Sequence, residues 1–593
     1  MKMIKNKWFK GGLIGLIAVF GIASCSDDHF DLNTTNATGT VWENLVATHQ
    51  VDSFAMILEK TIVGKKPYGI PATLSYKELL RSGRVLTVWA PKDGTYNAKQ
   101  WLDLLDQGEN ELVETQFVRN HMANFNYTGA TPEVEQLVLY NSKYATYDVP
   151  ENKFKDVDIS ADPRFKNIPS TNGTIHLLEG AASFEYNLRE LIDIHPSLSD
   201  LSDYLEKTDT LMFMPGASII GATVDGEIQY VDSFFFKRNK MMPNDVTNVI
   251  NNEDSVCGAI IPSNPAFQEA IEKIGKQYQY REDRVYRFYD EDTKVVVTDT
   301  IDTDSLKELY TMQAIFKNMF YSLNEQPAFK DVENATPESV KNFFETCDSL
   351  VSTSYYNQNK IYHQHAPQCN ELTEGKTPER ASNGFAFITD NFNFKANRAW
   401  EYDIIVDATR TSLVNGNETK LTAPKIPKGT SRYVTEANRN DSVAGILYQD
   451  RYQEWTPANT TSKLAVSYNL PDVLSGTYDI YVVLVPENML DKTNTNPKYS
   501  QFQAILKYDY DVDSKGKGLW RKTESTSSTD LFKSDPNKID TILLFENFKF
   551  DYCYAGVPNC YPVITLQASK SITDKFATNA FNINCFILRG KDE

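Results

Sequence analysis

Three regimes of hydrophobic patterning follow one another along the chain. Residues 11–24 form an unbroken stretch of apolar and small side chains, preceded by Lys2, Lys5, Lys7 and Lys10 and followed by Cys25. Next, Trp42, Leu45 and Val46, then Phe54, Ile57 and Leu58, recur at three- and four-residue spacing, which predicts amphipathic helices. Short continuous apolar runs interrupt this texture: residues 85–90 end at Pro91 and a turn, and residues 172–180 read as a turn feeding a buried strand. From about residue 396 the helical spacing is lost. Residues 401–407, 463–468, 478–485, 502–508, 541–550, 563–566 and 581–588 alternate with period two or are continuously apolar, with turn residues such as Ser475-Gly476 between them. That grammar predicts an all-β sandwich.

The first regime is too short to span a bilayer comfortably, since a membrane helix needs about 20 apolar residues. A basic segment, a short apolar segment and a small-residue end are the parts of an export signal. Ile22-Ala23-Ser24-Cys25 resembles the lipobox of bacterial lipoproteins, in which the cysteine is acylated and becomes the new N-terminus. Ser26, Asp27 and Asp28 resemble the acidic export signal of Bacteroidota-type surface lipoproteins. These segments predict a signal peptide over 1–24, a lipidated polar tether over 25–40, and a body held at the outer membrane facing the exterior, because acyl chains give stable attachment.

Composition narrows the functional classes. The 593 residues carry 60 Lys+Arg against 79 Asp+Glu, a formal charge of −19. Loss of the leader with its four lysines makes the remainder more acidic still. Such a chain is a poor match to nucleic acid, whose binding is dominated by clustered cations. The 32 Tyr and 32 Phe supply enough apolar mass for several cores. Of the seven cysteines, Cys553 and Cys560 bracket a turn-like segment between two β-like runs, and an exported protein permits disulfides, so this pair is expected to staple a hairpin.

Thr87-Val88-Trp89-Ala90-Pro91 followed by Asn97-Ala98, then Phe117 to Met122 with His121, then Asn172-Gly173-Thr174-Ile175-His176 lie in that order over the first part of the body. These segments resemble the signatures of the fasciclin family, approximately T-V-F-A-P-T-[DN]-x-A-F and N-G-x-[IV]-H-x-[IV]-D with a Tyr-His pair between them; Asn120 departs from the tyrosine. A degraded second copy follows. Cys257 to Phe267, with Pro262, Asn264 and Phe267, matches the first signature, and Asn383-Gly384 with Phe387 in the histidine position matches the second. The middle histidine is absent from that copy. The resemblance implies an α+β fold of tandem fasciclin-like domains over 41–190 and 191–395, with the signature residues shaping turns and filling buried hydrogen bonds. The run 209–236 reads as an inserted hairpin. Residues 396–593 complete the chain as a sandwich similar in texture to carbohydrate-binding jelly rolls.

No segment pairs a general acid with a base, so no catalytic residue is expected, and neither a metal nor a cofactor. His363, His365, Cys369 and Glu371 offer ligand types in a spacing that matches no known site. Asp509, Asp511 and Asp513 start like a calcium loop, yet Ser514 and Trp520 stand where glycine and glutamate belong. Tyr448, Tyr452, Trp455, Tyr478, Tyr481 and Trp520 are candidates for sugar stacking, with sandwich core as the plainer alternative. Several Asp-Ser/Thr-aliphatic triplets, such as Asp540-Thr541-Ile542, resemble acceptors for O-glycosylation. The expected function is a non-catalytic surface lipoprotein, an accessory glycan- or partner-binding component beside a SusC/SusD-type uptake complex. The alternative is an adhesin acting through the fasciclin-like domains.

Overall fold

The computed structural model describes residues 37–64, 74–215, 219–224, 227–232, 235–254, 256–281, 285–290, 293–323, 335–346, 372–373, 375–394, 403–414, 428–457, 464–512, 518–557, 560–568 and 574–591. The fold is mixed α+β in its first two-thirds and built mostly of antiparallel sheets thereafter. Cys25, Ser26, Asp27 and Asp28, and the His363, His365, Cys369 and Glu371 group, lie outside the described residues.

At the centre of the first part, Leu86–Pro91 and Gly173–Leu178 run parallel, with Leu86 opposite Gly173 and Pro91 opposite Leu178. Every residue of both strands is buried. Continuous apolar runs are what a strand covered on both faces requires. Met122–Asn124 flanks one strand and Ile168–Ser170 the other, each antiparallel. One face of this sheet packs against Val41–Ala47, Asp52–Lys60 and Tyr76–Arg81 through Phe54, Leu58 and Leu80. The other packs Trp89 against Phe154 and Tyr147, carried by a second small sheet that includes Val134–Val138 and Tyr144–Asp148.

The same sheet recurs further along. Cys257–Pro262 and Gly384–Thr389 pair in parallel with Cys257 opposite Gly384, flanked by Phe320–Ser322 and Glu379–Ala381. The two registers superpose residue for residue: Leu86 corresponds to Cys257, Pro91 to Pro262, Gly173 to Gly384, and His176 to Phe387. Val41–Ala47 corresponds to Leu188–Ile194, since both begin at a capping box, from Thr40 and from Asn187. The duplicated unit thus restarts at Leu188, three residues ahead of the sequence-based boundary at 191. Inside the second copy, Asp209–Phe213 pairs with Phe235–Asn239, and Ile219–Val224 pairs with Glu227–Asp232, forming a two-tiered ribbon at the predicted insertion.

Beyond residue 403, two sheets face each other. One orders Lys428–Tyr433, Arg451–Thr456, Phe581–Gly590, Gly476–Leu484 and Asp540–Phe550 edge to edge, with Ile404–Asp407 also on Phe581–Gly590. The other orders Ala465–Asn469, Val563–Ala568, Tyr499–Val512 and Gly518–Ser525. Tyr468 meets Phe586 and Phe502 meets Phe581 across the interior, at ring separations of 5.2 and 5.7 Å. Trp455, Tyr452 and Tyr478 are buried, so the plainer reading of these aromatics holds, and Trp520 packs edge-on to Tyr510. Asp509 accepts from the Tyr554 hydroxyl and Asp511 pairs with Arg521. Two of the three carboxylates of the calcium-like run are thereby engaged; Asp513 lies outside the described residues.

The expected Cys553–Cys560 bridge is corrected. The two are separate buried thiols. Cys553 has other partners: its N–H donates to the Gln279 carbonyl at 2.7 Å and its sulfur shares a hydrogen bond with Tyr280. Burial pushes that thiol up to about 12. Both sulfurs sit in a core that joins the second repeat to the sandwich, where Leu474, Ala555 and Val557 pack with Tyr278 and Tyr280. Polar bonds reinforce the join. Ser475 Oγ donates to the Gln277 carbonyl at 2.7 Å and accepts from the Gln279 N–H at 3.0 Å, and the Tyr280 hydroxyl donates to the Ala555 carbonyl at 2.9 Å.

Candidate functional site

Asn172 lies within the turn ahead of a central strand, where its side chain ties three elements together. Its Oδ1 accepts from the Val41 N–H at 2.7 Å, while Nδ2 donates to the carbonyls of Leu80 and Ser82 at 3.0 and 2.7 Å. Asn383 repeats the arrangement, accepting from the Leu188 N–H at 2.9 Å and donating to the Ile250 carbonyl at 2.9 Å. The next residue is glycine in both copies for a steric reason. A Cβ on Gly173 would stand 1.7 Å from the Leu86 carbonyl oxygen, and one on Gly384 2.1 Å from that of Cys257. Thr87 accepts from the Tyr127 N–H and donates to the Phe125 carbonyl, both at 2.8 Å, steadying the chain after the edge strand. Ala90 and Pro91 are buried strand residues. Pro262 ends the equivalent strand, and Asn264 and Phe267 open the helix Asn264–Gly275 that follows it.

His121 and His176 are fully buried and each has both ring nitrogens engaged. A π-helical turn over Glu114–Val118 followed by a 3-10 turn brings His121 back over Phe117. The Ala182 N–H donates to His121 Nε2 at 2.9 Å, which leaves Nδ1 as the protonated nitrogen donating to the Phe117 carbonyl at 2.7 Å. His176 uses the other tautomer: Nδ1 accepts from the Asn167 N–H at 3.3 Å and Nε2 donates to the Tyr127 carbonyl at 2.8 Å. Burial lowers both imidazoles to about 4. Neutral rings with no open nitrogen have nothing to offer a substrate or metal.

A cleft of about 590 Å³ opens between the two repeats. One wall comes from the first copy, with Arg84, Glu114, Arg119, Asn124 and Tyr140; the opposite wall comes from the second, with Arg189, Asp193, Lys237, Asn251 and Glu253. Lys143 closes its floor. Its ammonium, only 4% exposed, lies 2.9 Å from Glu190, 2.8 Å from Glu253 and 3.2 Å from Ser382 Oγ, and 5.0 Å from the centre of the Phe184 ring. Four elements from both repeats therefore converge on one cation. Tyr144 adds a hydrogen bond to Asp254 across the same joint. On the first wall, Glu114 accepts from the Gly64 N–H, the Tyr76 hydroxyl and the Arg119 guanidinium at 2.7–2.8 Å. On the second, Arg189 binds Asp193 and, at 2.9 Å, Asp209. Among the described residues no group of three or more metal-ligating side chains is gathered.

No protein-family model matches the sequence, and no curated protein matches it. One solved structure that matches is the FAS1 domain pair of the insect cell adhesion molecule fasciclin I. It covers 53% of this chain and 90% of its own, at 8% identity and a TM-score of 0.19. The duplication itself rests on the superposable registers, the paired Asn-Gly clasps and the twin capping boxes described above.

The sequence thus singled out side chains that build the two repeats, while the cleft between them was not legible in it. Lys143, Glu190 and Glu253 lie in three separate segments, and no local spacing links them. Arg84 and Lys237 belong to no recognisable motif, Arg84 three residues after Arg81 and Lys237 just ahead of Arg238 and Lys240. One signal was present: an insertion at 209–236 marks a place where a repeat departs from its twin, and Lys237, just past its end, stands on the cleft wall.

Proposed function

We propose that the chain is a non-catalytic binding protein of the cell surface, held in the outer membrane by a lipid on Cys25 and facing outward. There it serves as an accessory glycan- or partner-binding component beside a SusC/SusD-type uptake system. The observation that carries this reading is the polar cleft formed jointly by the two repeats, with His121 and His176 of the first repeat fully occupied in structural bonds. A cleft of this size falls within the range that encloses small ligands, about 300–1,000 Å³. The leader and its terminal cysteine support the location. The test has two arms. Cys25→Ala is expected to move the protein from the outer-membrane fraction to the soluble fraction, and retention in the membrane sinks the anchoring claim. Affinity capture from detergent-solubilised outer membranes is expected to bring down a large β-barrel transporter, and its absence removes the uptake role.

A second reading, adhesion, is favoured by one specific feature. The ribbon of the second repeat presents Leu211, Met212, Met214 and Ile228 to solvent, each 42–54% exposed. Exposed apolar clusters mark contact surfaces. Cells carrying the protein would then aggregate, and serine at Met212, Met214 and Ile228 would abolish the aggregation without affecting glycan binding.

A further inference from the structure

We propose that the cleft between the repeats binds an acidic glycan, with the carboxylate of a uronic acid held between Arg84 and Lys237. This rests on the reading of the chain as a glycan- or partner-binding protein and names the ligand class of that site.

The inference begins with charge inside the cleft. Its walls carry five cations and five carboxylates in a chain whose net charge is −19. Most of these cancel pairwise: Arg119 with Glu114, Arg189 with Asp193, and Lys143 with Glu190 and Glu253, which leaves Glu111 as the fifth carboxylate of the walls. Arg84 and Lys237 stand outside this cancellation, and among the described residues neither has a carboxylate within ion-pair distance. Arg84 lies 5.5 Å over the Tyr140 ring and makes one long hydrogen bond, 3.4 Å, to Asn124 Oδ1. A guanidinium has five N–H donors, so most of this one is open. Lys237 is exposed on the strand Phe235–Asn239. The two cations come from different repeats and face one shared space.

An acidic surface repels anions at long range, so two cations without a carboxylate partner, in a recess whose charges sum to zero, make a less repulsive spot in the field of the whole molecule. Arginine binds carboxylate in a two-pronged fork, and lysine adds a mobile point charge. The neutral groups of the walls suit hydroxyls. Asn124 has its amide nitrogen open, and Asn251, whose nitrogen donates to the Thr247 carbonyl at 3.0 Å, has its amide oxygen open. One donor and one acceptor, set apart from each other, match a polyhydroxylated ring. Half-buried Phe235 offers an apolar face beside Lys237. A carboxylate, scattered hydroxyls and an apolar ring face are together the chemistry of a uronic acid.

The test uses the full chain in detergent, titrated calorimetrically with hexagalacturonate, with the neutral maltohexaose and with hexaglutamate. The expected result is saturable binding of hexagalacturonate that weakens with salt, and none of maltohexaose. Lys237→Gln should weaken that binding at least fivefold, Arg84→Gln at least tenfold, and Lys237→Arg should leave it within twofold. Because Lys237 is exposed, its variants test the site even if Arg84→Gln proves unstable on thermal unfolding. Hexagalacturonate binding unchanged in the Arg84→Gln/Lys237→Gln double variant overturns the proposal, as does hexaglutamate bound equally tightly. If other glycans bind independently of these residues, the wider reading survives while this one falls. If no glycan and no membrane partner binds, both fall.

Discussion

His121 and His176 show what a signature histidine can do without reacting. Each is a neutral cross-link whose two nitrogens bridge segments far apart in sequence, the Ala182 N–H to the Phe117 carbonyl and the Asn167 N–H to the Tyr127 carbonyl. A price in pH sensitivity follows. Burial holds both groups near 4, whereas a histidine in the unfolded chain titrates near 6.5. Between these values the unfolded state binds more protons than the folded one, so stability is fully present above about pH 6.5 and falls as the pH drops toward 4. Each group contributes roughly 3 kcal/mol over that window. Urea unfolding of the first repeat, followed from pH 7.5 to 4.5, should show this loss. His176→Phe, which installs the side chain of the second copy, should flatten the slope by about half; an unchanged slope would show that other groups dominate it. These histidines were legible because they sit in short motifs. Lys143 was not, because its partners are 41 to 239 residues away and nothing near Lys143 in sequence marks it.

At the scale of elements, the parallel central pairs were readable as continuous apolar runs, and their flanking turns as Asn-Gly. The sandwich strands with strong period-two alternation were equally plain. Lys428–Tyr433 was missed because it is a largely exposed edge strand, with Lys428, Gly429 and Thr430 all in solvent, and so has no buried face to impose a pattern. Arg451–Thr456 was missed because both its faces are buried, Tyr452 on one and Gln453 with Trp455 on the other, so no period-two alternation marks it. The Asn-Gly clasp gives a sharp test of the duplication. Gly173→Ala drives a methyl into the Leu86 carbonyl and must part the central strands, which is expected to cost about 3 kcal/mol or more. Gly83→Ala meets nothing within 4 Å and should be neutral. Thermal unfolding of the two variants checks this, and equal midpoints would refute the steric account. Gly384→Ala should act on the second repeat as Gly173→Ala does on the first.

At the scale of the whole molecule, the sequence suggested three independent units, and the structure joins them by two different means. The second repeat and the sandwich share an apolar core through Tyr278, Tyr280, Leu474 and Val557. The two repeats meet instead through Lys143 and its carboxylates, a polar contact beside an open cleft. Removing one partner of a buried ion pair is far costlier than the net worth of the pair, about 3–5 kcal/mol. Lys143→Met should therefore loosen this joint alone. Hydrogen exchange at the Ala182, Leu188 and Ser382 amides is expected to accelerate while that of Tyr280 and Cys553 stays as it was. Uniform acceleration throughout would mean that the joint is not a separate element.

The clasp at Asn172 also sets a path for mechanical load. Gly39 accepts from the Thr171 N–H at 2.9 Å, and the Val41 N–H is held by Asn172. A pull on the chain ahead of Gly39 is therefore transmitted into the 171–172 turn. From there it passes along Gly173–Leu178, where the parallel bonds to Leu86–Pro91 resist it together in shear. Helix Val41–Ala47 is thereby shielded from being peeled off turn by turn.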